Sequence, residues 1–326
     1  MSAIPTLADI EDAARRIAAV AVRTPLIEAH TLGQRLGCRL FVKAEVLQRV
    51  GAFKFRGAYN KICQLDAPTR ARGVVAYSSG NHAQGVACAA AMLGAPATIV
   101  MPTDSPAIKM ANTRAYGAEI VTYDRYKESR EDIGQHLSSE RGLALVKPYD
   151  DLDVICGQGT AGLEIAEDMA RLGLAPDVFL APCSGGGLAT GCAVALKAKF
   201  PNAACYSAEP AGLDDMARSL AFGRRVTNNP AAKSICDALL APTPGEITFP
   251  IAQRHLAGGV SATDEECLKA MKAAFLELKL VAEPGGAVAL AAVLSGRLDV
   301  KGKCVVVMLS GGNVDPATFK RALDTD

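Results

Sequence analysis

"GVVAYSSGNHAQGVACAAAMLG", residues 73–94, holds the pattern from which the fold follows. An apolar run ends in a serine- and glycine-rich turn, and an alanine-rich helical stretch follows directly. The run is continuous, not alternating, as expected of a strand in a parallel sheet covered by helices on both faces. The same unit recurs at 97–118, "ATIVMPTDSPAIKMANTRAYGA", and at 119–140, "EIVTYDRYKESREDIGQHLSSE". It returns at 177–200, "DVFLAPCSGGGLATGCAVALKAKF", and at 303–323, "KCVVVMLSGGNVDPATFKRAL". Such alternation predicts an α/β protein with open, doubly wound sheets. Two sheets fit better than one. The consecutive units within 72–145 suffice for a small domain, inserted into a larger one made of 1–71 and 146–326. The stretch 147–162, "KPYDDLDVICGQGTAG", reads as the crossing back into the larger domain.

The chain has 326 residues, room for one large domain or two ordinary ones. Hydrophobic residues make up 50% and charged residues 21%, which supports a substantial core and argues against disorder. Basic and acidic residues number 35 and 34, so nothing in the charge balance points to nucleic acid or an anionic membrane. The N-terminus, "MSAIPTLADIEDAARRIAAV", alternates charged and apolar residues at helical spacing and lacks the apolar stretch of a signal peptide. No run is long and uncharged enough to span a bilayer. A cytosolic location is therefore expected, and no regulatory domain is expected beyond the last unit. The ten cysteines are scattered singly, with no CxxC pair and no HExxH. They read as small buried thiols and not as zinc or redox sites.

Several strand-end turns carry residues suited to chemistry. In "APCSGGGLATG", 181–191, a strand ends at Pro182 and a helix begins near Leu188. The three glycines between them let the backbone approach an anion at a helix N-terminus. The spacing misses both GxGxxG and the P-loop, so the choice lies between a single phosphate monoester and a plain tight turn. "SSGNHAQG", 78–85, clusters Ser78, Ser79, Asn81 and His82, either as a helix cap or as a nest of donors for a carboxylate. "LSGGNVD", 309–315, sets Ser310 where such sheets bind ligands. "AEPAGLDD", 208–215, offers Glu209, Asp214 and Asp215 to water or to a hard cation. "AEPGGA", 282–287, has a similar shape around Glu283, with only glycines to follow. "GAFKFRGAYN", 51–60, sets Lys54 between two phenylalanines. A dry setting of that kind lowers a lysine's pKa and frees the amine as a nucleophile.

Taken in order, "RTPL", "FKFRGA", "SSGNHAQG", "GQGTAGLE", "SGGGL", "AEP" and "SGGN" resemble the fold-type II pyridoxal-phosphate enzymes nearly end to end. The nearest branch holds serine/threonine dehydratases (ammonia-lyases), serine racemases and 3-hydroxyaspartate dehydratases. The resemblance implies that Lys54 carries the cofactor as an imine and acts as the base at the α-carbon. Phe53 would pack on the pyridine face, and Asn81 would bond the ring oxygen. Gly185, Gly186, Gly187 and Leu188 would hold the phosphate. Ser310 would face the ring nitrogen, and a hydroxyl there leaves that nitrogen largely neutral, which favours β-elimination over transamination. Ser78, Ser79, Asn81 and His82 would receive the substrate α-carboxylate. The implied reaction eliminates water from a small β-hydroxy amino acid and releases a 2-oxo acid and ammonia.

Ser79 matches the proton donor of the racemases, so serine racemase activity with side elimination is the alternative. Glu209, the Leu213 carbonyl and Asp215 match a divalent-cation site, with Mg2+ its ordinary occupant. Arg130 matches an arginine able to face a second carboxylate. Ala52 and Val46 stand where many relatives have Ser and Asn, which leaves serine, threonine and 3-hydroxyaspartate open as substrates. A homodimer is expected from the resemblance.

Overall fold

The computed structural model describes residues 4–78, 80–105 and 107–325. Among the described residues, ten strands form two sheets. The larger contains β1 (Leu26–Glu28), β2 (Arg39–Ala44), β7 (Val178–Pro182), β8 (Ala204–Pro210), β9 (Gly258–Ala262) and β10 (Cys304–Leu309). Its order is β1-β2-β10-β7-β8-β9, parallel throughout except for the antiparallel edge strand β1. The smaller contains β3 (Val74–Tyr77), β4 (Ala97–Pro102), β5 (Glu119–Tyr123) and β6 (Ala144–Leu145), all parallel, in the order β5-β4-β3-β6.

The continuous apolar runs are buried along their whole length in β3, β4 and β7. Both faces of those strands are covered, which is why no alternation shows. β1, β6 and β9 fall outside the repeating pattern. β1 and β6 are too short to stand out, and β9 opens with two glycines. The stretch that reads as a crossing is itself the start of a 20-residue helix, Leu152–Arg171.

Helix Lys54–Ile62 joins the two lobes. Gly57 on this helix meets Gly157 on helix Leu152–Arg171, and a Cβ on Gly157 would lie 2.6 Å from the Gly57 Cα. Only glycine permits that approach, which explains the first glycine of "GQGTAG" as a packing residue. In the larger sheet β10 lies between β2 and β7, so the chain leaves in opposite directions and a crevice opens beyond the strand ends.

Candidate active site

The crevice holds a cavity of about 210 Å³. Its walls come from the ends of β3, β7 and β10 and from the start of the Lys54 helix. The chain enters that helix through a constrained turn, with Val50 at φ 57° and Gly51 at φ 69°. Ala52 then bridges to Gly311, and the Phe53 N–H donates to the Ser310 carbonyl at 3.1 Å. Lys54 is thereby fixed against the end of β10. Its amine donates to the Pro148 carbonyl at 2.6 Å and sits 5.1 Å from the Phe53 ring centroid. Burial, with the Arg130 charge adding to it, lowers its pKa to about 7. Its place in the first turn of a helix also disfavours a cation. About half of the amine is thus neutral near pH 7 and available as a nucleophile and base.

Beneath the lysine lies a buried ion network. Arg56 forks onto Glu45 at 2.8 Å through two nitrogens and onto Glu164 at 2.7 and 2.9 Å. Lys43 reaches Glu164 at 2.5 Å and the Thr24 carbonyl at 2.7 Å. Two cations thus meet two anions, and Thr24 and Thr160 add hydrogen bonds. Sequence reasoning gave these motif residues no role, because the partners come from separate segments.

Gly186 has φ 105° and caps helix Gly187–Lys199. A side chain at Gly185 would collide with the Tyr149 ring, and one at Gly186 with Met216 and Thr248. The carbonyls are turned away and held: Thr248 Oγ1 and the Gly245 N–H donate to that of Gly185 at 2.5 and 3.1 Å, and Thr190 Oγ1 to that of Gly186 at 2.8 Å. The first amides of a helix have no partner within it, so those of Gly187 and Leu188 are left for an anion. This cradle fits a phosphate monoester, and Lys54, Asn81 and Ser310 line the same cavity.

Asn81 opens helix Asn81–Met92. Its amide donates to Glu283, and its carbonyl accepts from Asn313 Nδ2 at 2.8 Å. Burial raises the Glu283 carboxyl to about 7, partly offset by Lys109. Its second oxygen has no partner among the described residues. Glu283 is a candidate that the sequence names without a role, since its signal is a contact with a distant asparagine. His82 Nε2 donates to the Val146 carbonyl at 2.9 Å. Burial and the Lys54 charge lower its pKa to about 3, so the ring is neutral. Ser78 Oγ accepts from the Gly80 N–H at 3.2 Å. Ser79 lies outside the described residues.

Arg130, the first residue of helix Arg130–Arg141, also faces the cavity, beside Tyr77. Phe53, Lys54, Ser78, Asn81, His82, Arg130, the three loop glycines, Leu188 and Ser310 therefore share one cavity.

Glu209, Leu213 and Asp215 lie apart from it, behind the glycine loop. Glu209 accepts from the N–H groups of Met216 and Ala217 at 2.8 and 2.9 Å. Asp215 accepts from Asn228 at 2.6 Å, and its Oδ2 has no partner among the described residues. Burial drives both carboxyls up, Asp215 to about 6, and the Asp215 charge pushes Glu209 further. Two buried carboxylates that repel each other suit a hard cation. Among the described residues there is no cluster of three or more His, Cys, Asp or Glu side chains placed to hold a metal, so any third ligand must be a neutral group, a backbone carbonyl or water included.

Comparison with known proteins matches residues 17–311 to the family described as pyridoxal-phosphate dependent enzyme. The chain is 42% identical to L-threo-3-hydroxyaspartate ammonia-lyase of Saccharomyces cerevisiae, over 96% of this chain and 94% of that protein. Its fold is similar to that of a threonine deaminase from T.th., with a TM-score of 0.89 and 44% identity over 95% of this chain and 99% of that one. It is also similar to maize serine racemase, with a TM-score of 0.92 and 37% identity over 98% and 97% of the two chains.

Proposed function

Because the chain belongs to the pyridoxal-phosphate dependent enzymes, we propose that it is an ammonia-lyase eliminating water from a small β-hydroxy amino acid, with 3-hydroxyaspartate its preferred substrate. The observation that carries the substrate choice is Arg130, a guanidinium in the same cavity as Lys54. A neutral side chain such as that of serine or threonine gives such a charge nothing to pair with. A distal carboxylate does.

The residues fit the cofactor. The glycine loop with Leu188 would hold its phosphate, Ser310 its ring nitrogen and Asn81 its ring oxygen. Phe53 would pack on the ring, and Lys54 would bind the aldehyde. When bound, the cofactor supplies a sink for the electron pair left at the substrate α-carbon. The protein supplies the rest. Ser78, Ser79, Asn81 and His82 would bind and orient the α-carboxylate, and Arg130 the distal one. The neutral Lys54 Nζ takes the α-proton. Ser310 donates no full charge to the ring nitrogen, which favours loss of the β-hydroxyl over transamination. The products are a 2-oxo diacid and ammonia, with the eliminated water offset by one consumed in hydrolysis.

A racemase reading is the second, favoured by the similarity to maize serine racemase, with Ser79 as the proton donor on the opposite face. Glu209, the Leu213 carbonyl and Asp215 are assigned to Mg2+; the unpartnered Asp215 oxygen and the raised carboxyls support this. We assign the protein to the cytoplasm, where its ten free thiols stay reduced, and to a homodimer, by resemblance to the family. Assay of 2-oxo acid from the D- and L-isomers of serine, threonine and 3-hydroxyaspartate tests the function. The highest kcat/KM is expected for an isomer of 3-hydroxyaspartate, and absence of product from all of them contradicts the proposal.

A further inference from the structure

The Arg130 Cζ lies 5.6 Å from the centroid of the Tyr77 ring. Tyr77 is the last residue of β3, next to the turn assigned to the α-carboxylate. Its ring is wedged from below. Gly134, on the helix that Arg130 opens, lies against it, and a Cβ there would sit 2.8 Å from Tyr77 Cδ1. The ring therefore packs close against Gly134 and near the guanidinium, both carried by one helix.

Arg130 is otherwise loosely held. Its Nε donates to Glu131 at 2.8 Å, and Glu131 is 53% exposed. Its two terminal nitrogens donate to no acceptor among the described residues. Tyr123 and Tyr149 line the same cavity, and burial raises both of their pKa values. They stay protonated at neutral pH and remain donors. A forked cation beside phenol donors is a wall built for a planar anion.

We infer that Tyr77 is a positioning residue that fixes the Arg130 guanidinium for the distal carboxylate, and so sets the preference for dicarboxylic over neutral β-hydroxy amino acids. This rests on the ammonia-lyase reading above. An arginine side chain has much rotamer freedom, and ordering it on binding lowers affinity. Stacking on a fixed ring removes part of that freedom beforehand, and a partly desolvated cation–π contact is worth about tenfold in binding. Neutral substrates do not engage the guanidinium, so the effect falls on the ratio between substrates.

The test uses the holoenzyme and its Tyr77→Leu, Tyr77→Phe and Gly134→Ala variants. The ratio of kcat/KM for 3-hydroxyaspartate to that for serine is measured, and succinate binding is followed by calorimetry. Tyr77→Leu is expected to lower the ratio about tenfold, mainly through KM, and to weaken succinate by a similar factor. Tyr77→Phe keeps the ring and is expected to restore both. Gly134→Ala displaces the ring without removing it and is expected to act in the direction of Tyr77→Leu, which keeps the inference testable should the leucine variant not fold. An equal loss on both substrates, a loss confined to kcat, or a phenylalanine variant as impaired as leucine overturns it. Should the wild type eliminate neither substrate, the lyase reading fails, and the succinate titration alone decides the role of Tyr77.

Discussion

The backbone N–H of Phe53 donates to the carbonyl of Ser310 at 3.1 Å. One hydrogen bond thus joins the residue before Lys54 to the end of β10, two segments far apart in sequence. The bond fixes Lys54 relative to Ser310, the residue assigned to the cofactor's ring nitrogen. Correct placement of reacting groups depends on such links, since a shift of about 1 Å is enough to lose two orders of magnitude in rate.

Replacing Lys54 by alanine is expected to abolish the visible absorption of the lysine-bound cofactor and to lower elimination at least about a thousandfold. Absorbance spectra and single-turnover assays of the purified variant check this. Retention of both properties would remove Lys54 from the mechanism.

The lowered pKa of Lys54 predicts how the apoenzyme takes up its cofactor. Only the neutral amine reacts. With a pKa of about 7, uptake is expected to be roughly tenfold faster at pH 8 than at pH 6. An ordinary lysine would give a hundredfold change over the same span. The stability sign follows too: the folded pKa lies below the unfolded one, so the folded state binds fewer protons between about 7 and 10.4, and apoenzyme stability rises with pH in that window. A Lys54→Met variant should lose that slope.

Arg56→Ala is expected to destabilise the fold by about 3–5 kcal/mol, read by chemical denaturation, because it leaves Glu45 and Glu164 buried without their main partner. Burial pushes the Glu45 carboxyl up, but Arg56 and Lys43 outweigh it and hold it below the usual range. A carboxylate with a depressed folded pKa contributes stability above its unfolded pKa of about 4.3, lost as pH falls through the folded value. The wild type should therefore weaken in acid more than the variant.

Saturating Mg2+ is expected to raise the melting temperature by about 5 °C, and Asp215→Asn to remove that response. Equal melting with Mg2+ and with a chelator would argue against the cation site.

Chiral analysis of unreacted L-serine separates the two catalytic readings. The lyase reading expects no D-serine to accumulate. Steady accumulation of D-serine, abolished in Ser79→Ala, would make racemisation the main activity.

Much of the cavity was legible because its residues sit at strand ends, where local pattern and ligand placement coincide. Lys54 stood out as a lysine in an apolar run, and Gly185, Gly186 and Gly187 as a gap between strand and helix. Asn81 and Ser310 lay in similar turns. Residues whose meaning is a long-range contact were not legible. Glu283 acquires its raised pKa only when folding buries it, with Lys109 and Asn81 offsetting part of the rise. Tyr149 covers the glycine loop from a stretch that reads as a plain crossing. Arg56 lies in the lysine motif yet serves a buried network assembled from four segments. Tyr77 looks like any strand aromatic until folding brings Gly134 and Arg130 against it.

Borohydride reduction of the holoenzyme, followed by peptide mass mapping, tests the central claim most directly. Reduction makes the lysine–cofactor bond permanent. A single phosphopyridoxyl mass on the peptide carrying Lys54, absent after Lys54→Ala, is the expected result. The same mass on the peptide of Lys43 or Lys109, or on none, would contradict the account.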